Sequence, residues 1–310
     1  MNSSSELKNS YQKKTGTLFT IGVFDGVHIG HRFLIEKLKQ DAIKRHLLSG
    51  VITFDPPPRS ILQPDANNLW ISELKDKVST LKQLGVDVII VLSFTQALSQ
   101  LSAKDFISFL VNRLKMCGII IGPDLVLGRN QEGNAQTLRL LGQEMDFSVE
   151  VVPPFMLNEE TVSSTLIRQE LDAGDMVKVE RLLGHHFTLN ARVISGDKRG
   201  RTLGFPTANL AIATEQALPA SGVYLTNTYV SNKRFISATY VGSRPTFHGS
   251  TNTVETYLLD YEGNLYGREI ELSFIRRFRD DKRFSSPQEL AAQIDKDVEE
   301  IKNMASYNQF

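Results

Sequence analysis

Thr17-Leu18-Phe19-Thr20-Ile21-Gly22, Val23-Phe24-Asp25-Gly26-Val27, His28-Ile29-Gly30-His31: over these fifteen residues the chain passes from an apolar β-type run, through a turn, into the start of a helix. The helix is predicted to run from His31 to Leu48, with Leu34, Leu38 and Ala42 on one face and Gly50 as its stop. The same alternation continues downstream. Val51-Ile52-Thr53-Phe54 is a short apolar strand ended by Pro56-Pro57-Pro58. Residues 72–84 and 103–115 read as helices, and 87–94, 118–122 and 147–152 as strands. Apolar runs alternating with helices predict an α/β domain whose parallel sheet is covered on both faces. In such sheets ligands bind beyond the carboxyl ends of the strands. Residues 164–183 read as one or two helices that close this half.

From about His186 the hydrophobic period drops to two. Residues 187–194, 222–229, 234–241, 254–260 and 269–278 are alternating segments separated by turns. They predict antiparallel β structure closed into a small barrel. Ser286-Pro287-Gln288-Glu289 is a capping box with proline at the first helical position, and Leu290, Ile294, Val298 and Ile301 give the stripe of a terminal helix. There is no internal repeat, so the expectation is a polar tail over 1–15, an α/β domain over 16–185 and a β-barrel domain over 186–310.

The bulk composition narrows the partners. Lys plus Arg and Asp plus Glu both number 35, so no net field draws nucleic acid or an anionic membrane, and neither is expected as a partner. Anionic ligands must be held by local groups. Cys117 is the single cysteine, which excludes an internal disulfide; ahead of an apolar strand it is expected to be a buried, inert thiol. No run approaches the roughly 20 apolar residues of a membrane span. Residues 1–14 are polar and Ser-rich, without a signal-peptide core, and a cytoplasmic protein is expected.

His28-Ile29-Gly30-His31 stands where a helix N-terminus offers free N–H groups and the positive end of its dipole, which suits phosphate. The two imidazoles can donate to phosphate oxygens as charge builds, and Gly30 permits close approach. The same residues can be a helix cap and nothing more, or a metal pair. Ser163-Ser164-Thr165-Leu166-Ile167-Arg168 puts three hydroxyls at a helix start and a guanidinium a turn later. Hydroxyls there either cap or bind phosphate, and Arg168 has the planar fork that phosphate fits.

The second informative stretch is Gly196-Asp197-Lys198-Arg199-Gly200-Arg201-Thr202-Leu203-Gly204-Phe205-Pro206-Thr207-Ala208-Asn209-Leu210. Glycines among basic residues suit a loop whose N–H groups wrap a diphosphate, although a hairpin turn has the same composition. Thr207 and Asn209, two apart on an extended segment, face one side and offer oxygen ligands to Mg²⁺ carried with ATP.

These motifs carry a resemblance. Gly22-Val23-Phe24-Asp25-Gly26-Val27-His28-Ile29-Gly30-His31, Thr53-Phe54-Asp55-Pro56 and Ser163-Ser164-Thr165 with Arg168 resemble the N-terminal, Rossmann-like nucleotidyltransferase domain of bacterial bifunctional riboflavin kinase/FAD synthetases. The Gly200-Arg201-x-Leu203-Gly204-Phe205-Pro206-Thr207-Ala208-Asn209 run, with Gly222-Val223-Tyr224, Gly242 to Phe247, Val254 to Asp260, Leu265-Tyr266-Gly267 and Arg279 to Phe284, resembles the riboflavin kinase domain of the same family. The resemblance implies phosphorylation of riboflavin to FMN by the second domain. It implies transfer of AMP from ATP to FMN by the first, yielding FAD and pyrophosphate. Mg²⁺ is the implied cofactor; riboflavin, FMN, FAD, ATP, ADP and pyrophosphate are the implied partners. A homo-oligomer stays open.

Residue by residue, the resemblance assigns catalysis to His28, His31 and Glu255. Nucleotide and phosphate binding fall to Gly22, Phe24, Asp25, Gly30, Ser164, Thr165 and Arg168 in the first half, and to Gly196, Gly200, Arg201, Gly204 and Pro206 in the second. Asp124 and Arg279 are assigned to flavin, and Thr207 and Asn209 to the metal. On pattern alone, Glu255 would sit on a solvated strand face and Arg279 in a surface salt bridge. Two places depart from the family pattern: Gly122-Pro123-Asp124-Leu125-Val126-Leu127-Gly128 has leucines where aromatics are usual, and Pro57 stands where histidine is common. They leave two other readings standing: a kinase whose first domain is silent, or a flavin-binding regulator that has lost catalysis.

Overall fold

The central strand of the first half is wholly buried because its two faces serve two different cores. The computed structural model describes residues 16–64, 69–196, 204–246 and 249–307; the N-terminal tail lies outside them. In the Thr17–Ile21 strand, Leu18 packs with Val51, Ile120 and the Ile29–Lys44 helix, whereas Phe19 and Ile21 pack with Ile52, Phe54, Ile119 and the Ala103–Leu114 helix. Successive side chains of a strand point to opposite faces, so an unbroken apolar run is the signature of a sheet covered on both sides. The sheet is parallel and five-stranded, in the order Val88–Ser93, Leu48–Asp55, Thr17–Ile21, Met116–Ile121, Ser148–Val151. Strand order reverses at Thr17–Ile21, so the turn leaving that strand opens at the switch point, where doubly wound sheets bind ligands.

Two expectations are corrected here. The helix spans Ile29–Lys44 and ends four residues earlier than its apolar pattern suggests, at Arg45 and the left-handed His46 (φ 54°). Gly50 does not stop it: Gly50 lies inside the Leu48–Asp55 strand, where a Cβ would stand 2.3 Å from the Phe19 ring. Cys117 lies within the Met116–Ile121 strand, not before it, and is half-exposed instead of buried.

Contacts divide the chain into two compact units, Met1–Asn68 with Glu73–Ser163, and Leu69–Ser72 with Ser164–Phe310. The helices Ser164–Ala173 and Met176–Leu183 therefore group with the second unit; Met176, Val179, Leu182 and Leu183 are buried, and their helix packs on the Phe187–Ile194 and Glu269–Asp280 strands. In the same unit the buried Gln216 amide donates to the carbonyls of Trp70 (3.2 Å), Ile71 (3.2 Å) and Ala217 (3.1 Å).

The second unit is an antiparallel closed barrel with strands in the order Gly222–Val230, Lys233–Thr246, Gly249–Leu258, Ala208–Ala211, Phe187–Ile194, Glu269–Asp280. Closure gives each strand a neighbour on both sides. Its buried polar groups form a ladder of hydroxyls. Thr228 bonds Ser237 (2.6 Å), Ser237 bonds Thr226 (2.7 Å), Thr226 bonds Thr239 (2.7 Å) and Thr239 donates to Thr256 (2.9 Å). All five side chains are fully buried, which is tolerable only because each finds a partner. The terminal helix Pro287–Tyr307 starts at the expected cap, with Glu289 N–H donating to Ser286 Oγ (3.2 Å), and buries Val298 and Ile301 against Leu225, Leu259 and Ile275.

Candidate functional site

Each unit presents one constellation. In the first, the turn after Thr17–Ile21 takes Phe24 (φ 52°), Gly26 (φ 74°) and Val27 (φ 38°) through the left-handed region before the helix begins. For a β-branched residue such as Val27 that conformation is strained, and strain of this kind clusters at functional sites. His28 is the N-cap: its Nδ1 accepts from the His31 backbone N–H (3.3 Å). An accepting Nδ1 leaves the proton of a neutral His28 on Nε2. The rings of His28 and His31 stack with centroids 3.6 Å apart, and Phe24 meets His31 edge-on at 5.0 Å. Gly30 carries this stack: a Cβ there would press on the His28 ring and on the Val162 carbonyl, both within 3.3 Å.

Burial, then His28 and Lys77, hold His31 well below the ordinary imidazole value. Its Nδ1 is buried with no hydrogen-bond partner among the described residues. His31 is therefore neutral at pH 7, a polar donor–acceptor and not a cation. Phe24 is a core residue supporting the stack, and Asp25 is buried in the turn. Gly22 lies beneath the Phe24 ring, 3.2 Å from where its Cβ would be. The buried Lys77, on the Leu74–Gln83 helix, donates to the Val23 carbonyl (2.9 Å), which also accepts from Thr53 Oγ1 (3.0 Å). Sequence reasoning passed over Lys77. The available signal was its place four residues before the buried Leu81, on the apolar stripe.

Asp124 is exposed in the loop after Met116–Ile121, whereas Leu127 is buried and Leu125 packs against the same core. The two leucines that depart from the aromatic pattern thus fill the interior of the unit. Ser164 and Thr165 open the Ser164–Ala173 helix of the second unit, and Arg168 is half-buried on its first turn.

In the barrel unit, Glu255 and Asn209 are direct cross-strand partners, and Thr207 Oγ1 donates to Glu255 Oε2 at 3.1 Å. Cross-strand partners share a face. Ala208 and Leu210 are buried while Thr207 and Asn209 are half-buried, so the alternation turns both oxygen donors toward Glu255 and away from the core. Glu255 is thus not on a merely solvated face. Gly196 packs directly on Asn209; a Cβ there would lie 2.4 Å from Asn209 Cγ. Gly204, at φ 89° with open space around its α-carbon, makes the bend before Pro206. Phe205 anchors the motif edge-on to Tyr257 (5.6 Å), two residues beyond Glu255. A cavity of about 990 Å³ opens here, lined by Gly204, Pro206, Thr207, Tyr257, Tyr261 and Tyr266 among others. Gly200 and Arg201 lie outside the described residues.

Thr207 and Asn209 fit a hard cation bound together with phosphates. They supply neutral oxygens, and the Thr207 hydroxyl can give its proton to Glu255 while its lone pairs stay available. No cluster of three or more His, Cys, Asp or Glu able to hold a metal occurs among the described residues, so the remaining ligands must come from the nucleotide and water. Arg279 sits in a fork with the buried Asp297 of the terminal helix, Nε and Nη2 meeting its carboxylate at 2.6–3.0 Å, and Nη1 donates to the Asp280 carbonyl. This guanidinium binds helix to barrel.

Known proteins match this arrangement. Residues 10–166 match the FAD synthetase family and residues 183–305 the Riboflavin kinase family. The chain is 36% identical to the bifunctional riboflavin kinase/FMN adenylyltransferase of Escherichia coli (strain K12), over 93% of this chain and 92% of that one. It is 36% identical to the same-named protein of Haemophilus influenzae, over 96% of each. A crystal structure of a Streptococcus pneumoniae protein described as a macrolide-efflux protein superposes with a TM-score of 0.85 at 29% identity, over 93% of this chain and 94% of that one. No described helix here is long and apolar enough to cross a membrane.

Proposed function

The chain belongs to the bifunctional riboflavin kinase/FMN adenylyltransferase family, and we propose that Thr207, Asn209 and Glu255 carry the kinase reaction and His28 and His31 the adenylyl transfer. The barrel unit phosphorylates riboflavin with ATP to give FMN. The α/β unit joins FMN to AMP from a second ATP, giving FAD and pyrophosphate.

In the kinase reaction, Glu255 accepts the proton of the ribityl 5′-hydroxyl as that oxygen attacks the γ-phosphate, and ADP leaves. The observation that carries this reading is the Thr207–Glu255 hydrogen bond with Asn209 directly across from Glu255. A carboxylate beside two neutral side-chain oxygens supports the reading of a base next to a metal-bound nucleotide. Mg²⁺, when bound by Thr207 and Asn209 with ATP, neutralises phosphate charge. Gly204 and Pro206 shape the wall beside them, and Gly196, Gly200 and Arg201 are proposed to embrace the phosphates.

In adenylyl transfer the FMN phosphate is already a nucleophile. An oxygen of it attacks the α-phosphate of ATP and the P–O bond to pyrophosphate breaks, so no base is needed. His28 and His31, at the amino end of a helix, donate to the oxygens on which charge grows. Gly22, Phe24, Asp25 and Gly30 build the turn that presents them. Ser164, Thr165 and Arg168 are proposed as further phosphate ligands, because a helix start bearing hydroxyls and a guanidinium has the chemistry for it. Asp124 is proposed for flavin. Arg279 can reach flavin only with the donors that Asp297 and Asp280 leave over. The α/β and barrel domains are proposed to meet at 185/186, where the hydrophobic period changes. A single cysteine and a balanced charge support a cytoplasmic site of action.

Two assays test the assignment: riboflavin with ATP and Mg²⁺, and FMN with ATP and Mg²⁺, each run with oxidised and with reduced flavin. FMN and ADP are expected from the first, FAD and pyrophosphate from the second. A protein that makes FMN and never FAD or pyrophosphate would sink the adenylyltransferase half of the reading.

A further inference from the structure

The turn between Thr17–Ile21 and the His28-capped helix holds three residues with positive φ, Val27 among them, and such a turn persists only where its surroundings over-determine it. Three side chains do so. Arg32 Nε holds the exit by donating to the Val27 carbonyl (3.2 Å). At the entrance a single carbonyl, Val23, accepts from both Thr53 Oγ1 (3.0 Å) and Lys77 Nζ (2.9 Å). Thr53 and Lys77 are 0% and 5% exposed. A peg for one carbonyl needs no charge, and a buried ammonium is costly wherever a hydroxyl or amide would do. The charge itself therefore asks for a role. Burial lowers the Lys77 ammonium from the ordinary lysine value, and the nearby Asp25 of the turn and Asp55 of the next strand partly offset this by favouring the charged form. His31, beside the turn, is held neutral, whereas Lys77 is a buried ammonium bonded to the turn's entrance.

We propose that Lys77 is a positioning residue of the adenylyl-transfer site: its ammonium pins the Val23 carbonyl, and so the strained Phe24–Val27 turn that presents His28 and His31, while supplying fixed positive charge beside that turn. The proposal rests on the adenylyltransferase reading of the first unit. It explains how a site whose His31 is neutral can serve a reaction that brings together two anions. The helix dipole and the Lys77 ammonium supply positive charge, and the imidazoles supply direction.

The test uses the full chain, with riboflavin phosphorylation as an internal control. Lys77→Met is expected to lower kcat for FAD formation on the order of 100-fold, the size of a misplaced reacting group. KM for ATP and for FMN should change far less, and FMN formation should stay at the wild-type rate. The His31 ring, followed by NMR, should titrate at higher pH than in the parent, because a neighbouring positive charge has gone. Thr53→Val removes the other bond to the same carbonyl and leaves the charge; it should lower kcat about 10-fold, one charge-free hydrogen bond's worth, with His31 titrating as in the parent. Unchanged kcat in Lys77→Met overturns the proposal. So does a raised KM for ATP at constant kcat, which would make Lys77 a direct phosphate ligand, or an unmoved His31 titration. If Lys77→Met impairs FMN formation too, Thr53→Val decides: a loss of FAD turnover with intact kinase supports the proposal, and no loss overturns it. A parent protein that forms no FAD removes the premise and the proposal with it, and that failure is recognised before any variant is made.

Discussion

The two proposed sites meet the same chemical demand, the control of phosphate charge, with opposite materials. The first is made at a helix end. Backbone N–H groups, a dipole, two stacked imidazoles and a buried lysine are all gathered within one turn and its supports. The second is made on strands, where alternation brings Thr207 and Asn209 to one face and register sets Glu255 opposite them. The helix-end site carries its own positive field and handles a nucleophile that is already ionised. The strand site carries oxygens and a carboxylate, so it must import positive charge with the nucleotide and must remove a proton. The contrast follows from the substrates: a phosphate needs to be brought up to another anion, whereas a hydroxyl needs to be deprotonated.

The sharpest way to break this contrast is Glu255→Ala. Loss of a general base is expected to lower FMN formation by about 10²- to 10⁴-fold, with FAD formation from supplied FMN unchanged. Coupled assays of ADP and pyrophosphate release separate the two, and surviving kinase activity would remove Glu255 from its role. The converse is His28→Ala. FAD formation should fall by about 10²- to 10³-fold while the kinase keeps its rate, and loss of the N-cap should cost about 1 kcal/mol by denaturant melting. Third, Arg279→Met should destabilise the barrel by roughly 3 kcal/mol, because the 5%-exposed Asp297 side chain loses its fork. If the effect falls on KM for riboflavin and not on stability, Arg279 belongs to the flavin site.

The smallest effects lie in pH, and they should pull the two units in opposite directions. His31 is held below its ordinary value. Below about pH 6.5 an unfolded His31 takes up a proton that the native one refuses. Stability of the first unit should therefore fall as pH drops from there toward the native value, and His31→Gln should flatten that slope. In the barrel, Tyr224 donates to the Ala220 carbonyl (2.5 Å) and burial pushes its hydroxyl up to about 12. Above about pH 10 the unfolded phenol ionises first, so the barrel should lose stability as pH rises from 10 toward the native value. Urea melts across both ranges, read on each unit, would show it.

Much of this was legible in the chain. Strand and helix periods announced the two architectures, and the spacing of Thr207 and Asn209 already put both oxygens on one side. What could not be read were features that depend on partners far away in sequence. Glu255 meets Asn209 through strand register, which no local pattern encodes. Gly50 looked like a helix stop because glycine ends helices; it is a strand residue because the Phe19 ring needs its place. Lys77 looked like an ordinary surface lysine, since a helix bearing Lys75, Lys77 and Lys82 reads as polar. Its place on the stripe of Leu81, the packing of its stem and the position of the Val23 carbonyl separate it from its neighbours. Leu125 and Leu127 looked like lost flavin contacts and turned out to be core.

The hydroxyl ladder of the barrel, from Thr228 through Ser237, Thr226 and Thr239 to Thr256, bears on how this molecule can change over generations. Each hydroxyl is a partner of at least one other in the row, so a single replacement by alanine or valine takes a buried partner away, at about 1–3 kcal/mol. Replacing a whole pair by aliphatic residues of similar shape removes donor and acceptor together and can be nearly neutral. Because Ser237 also meets Thr228 and Thr226 also meets Thr239, drift at these positions is expected in blocks that take the linked hydroxyls together. A set of descendants would show the barrel interior either as an intact hydroxyl row or as a hydrocarbon one, with few sequences stranded between.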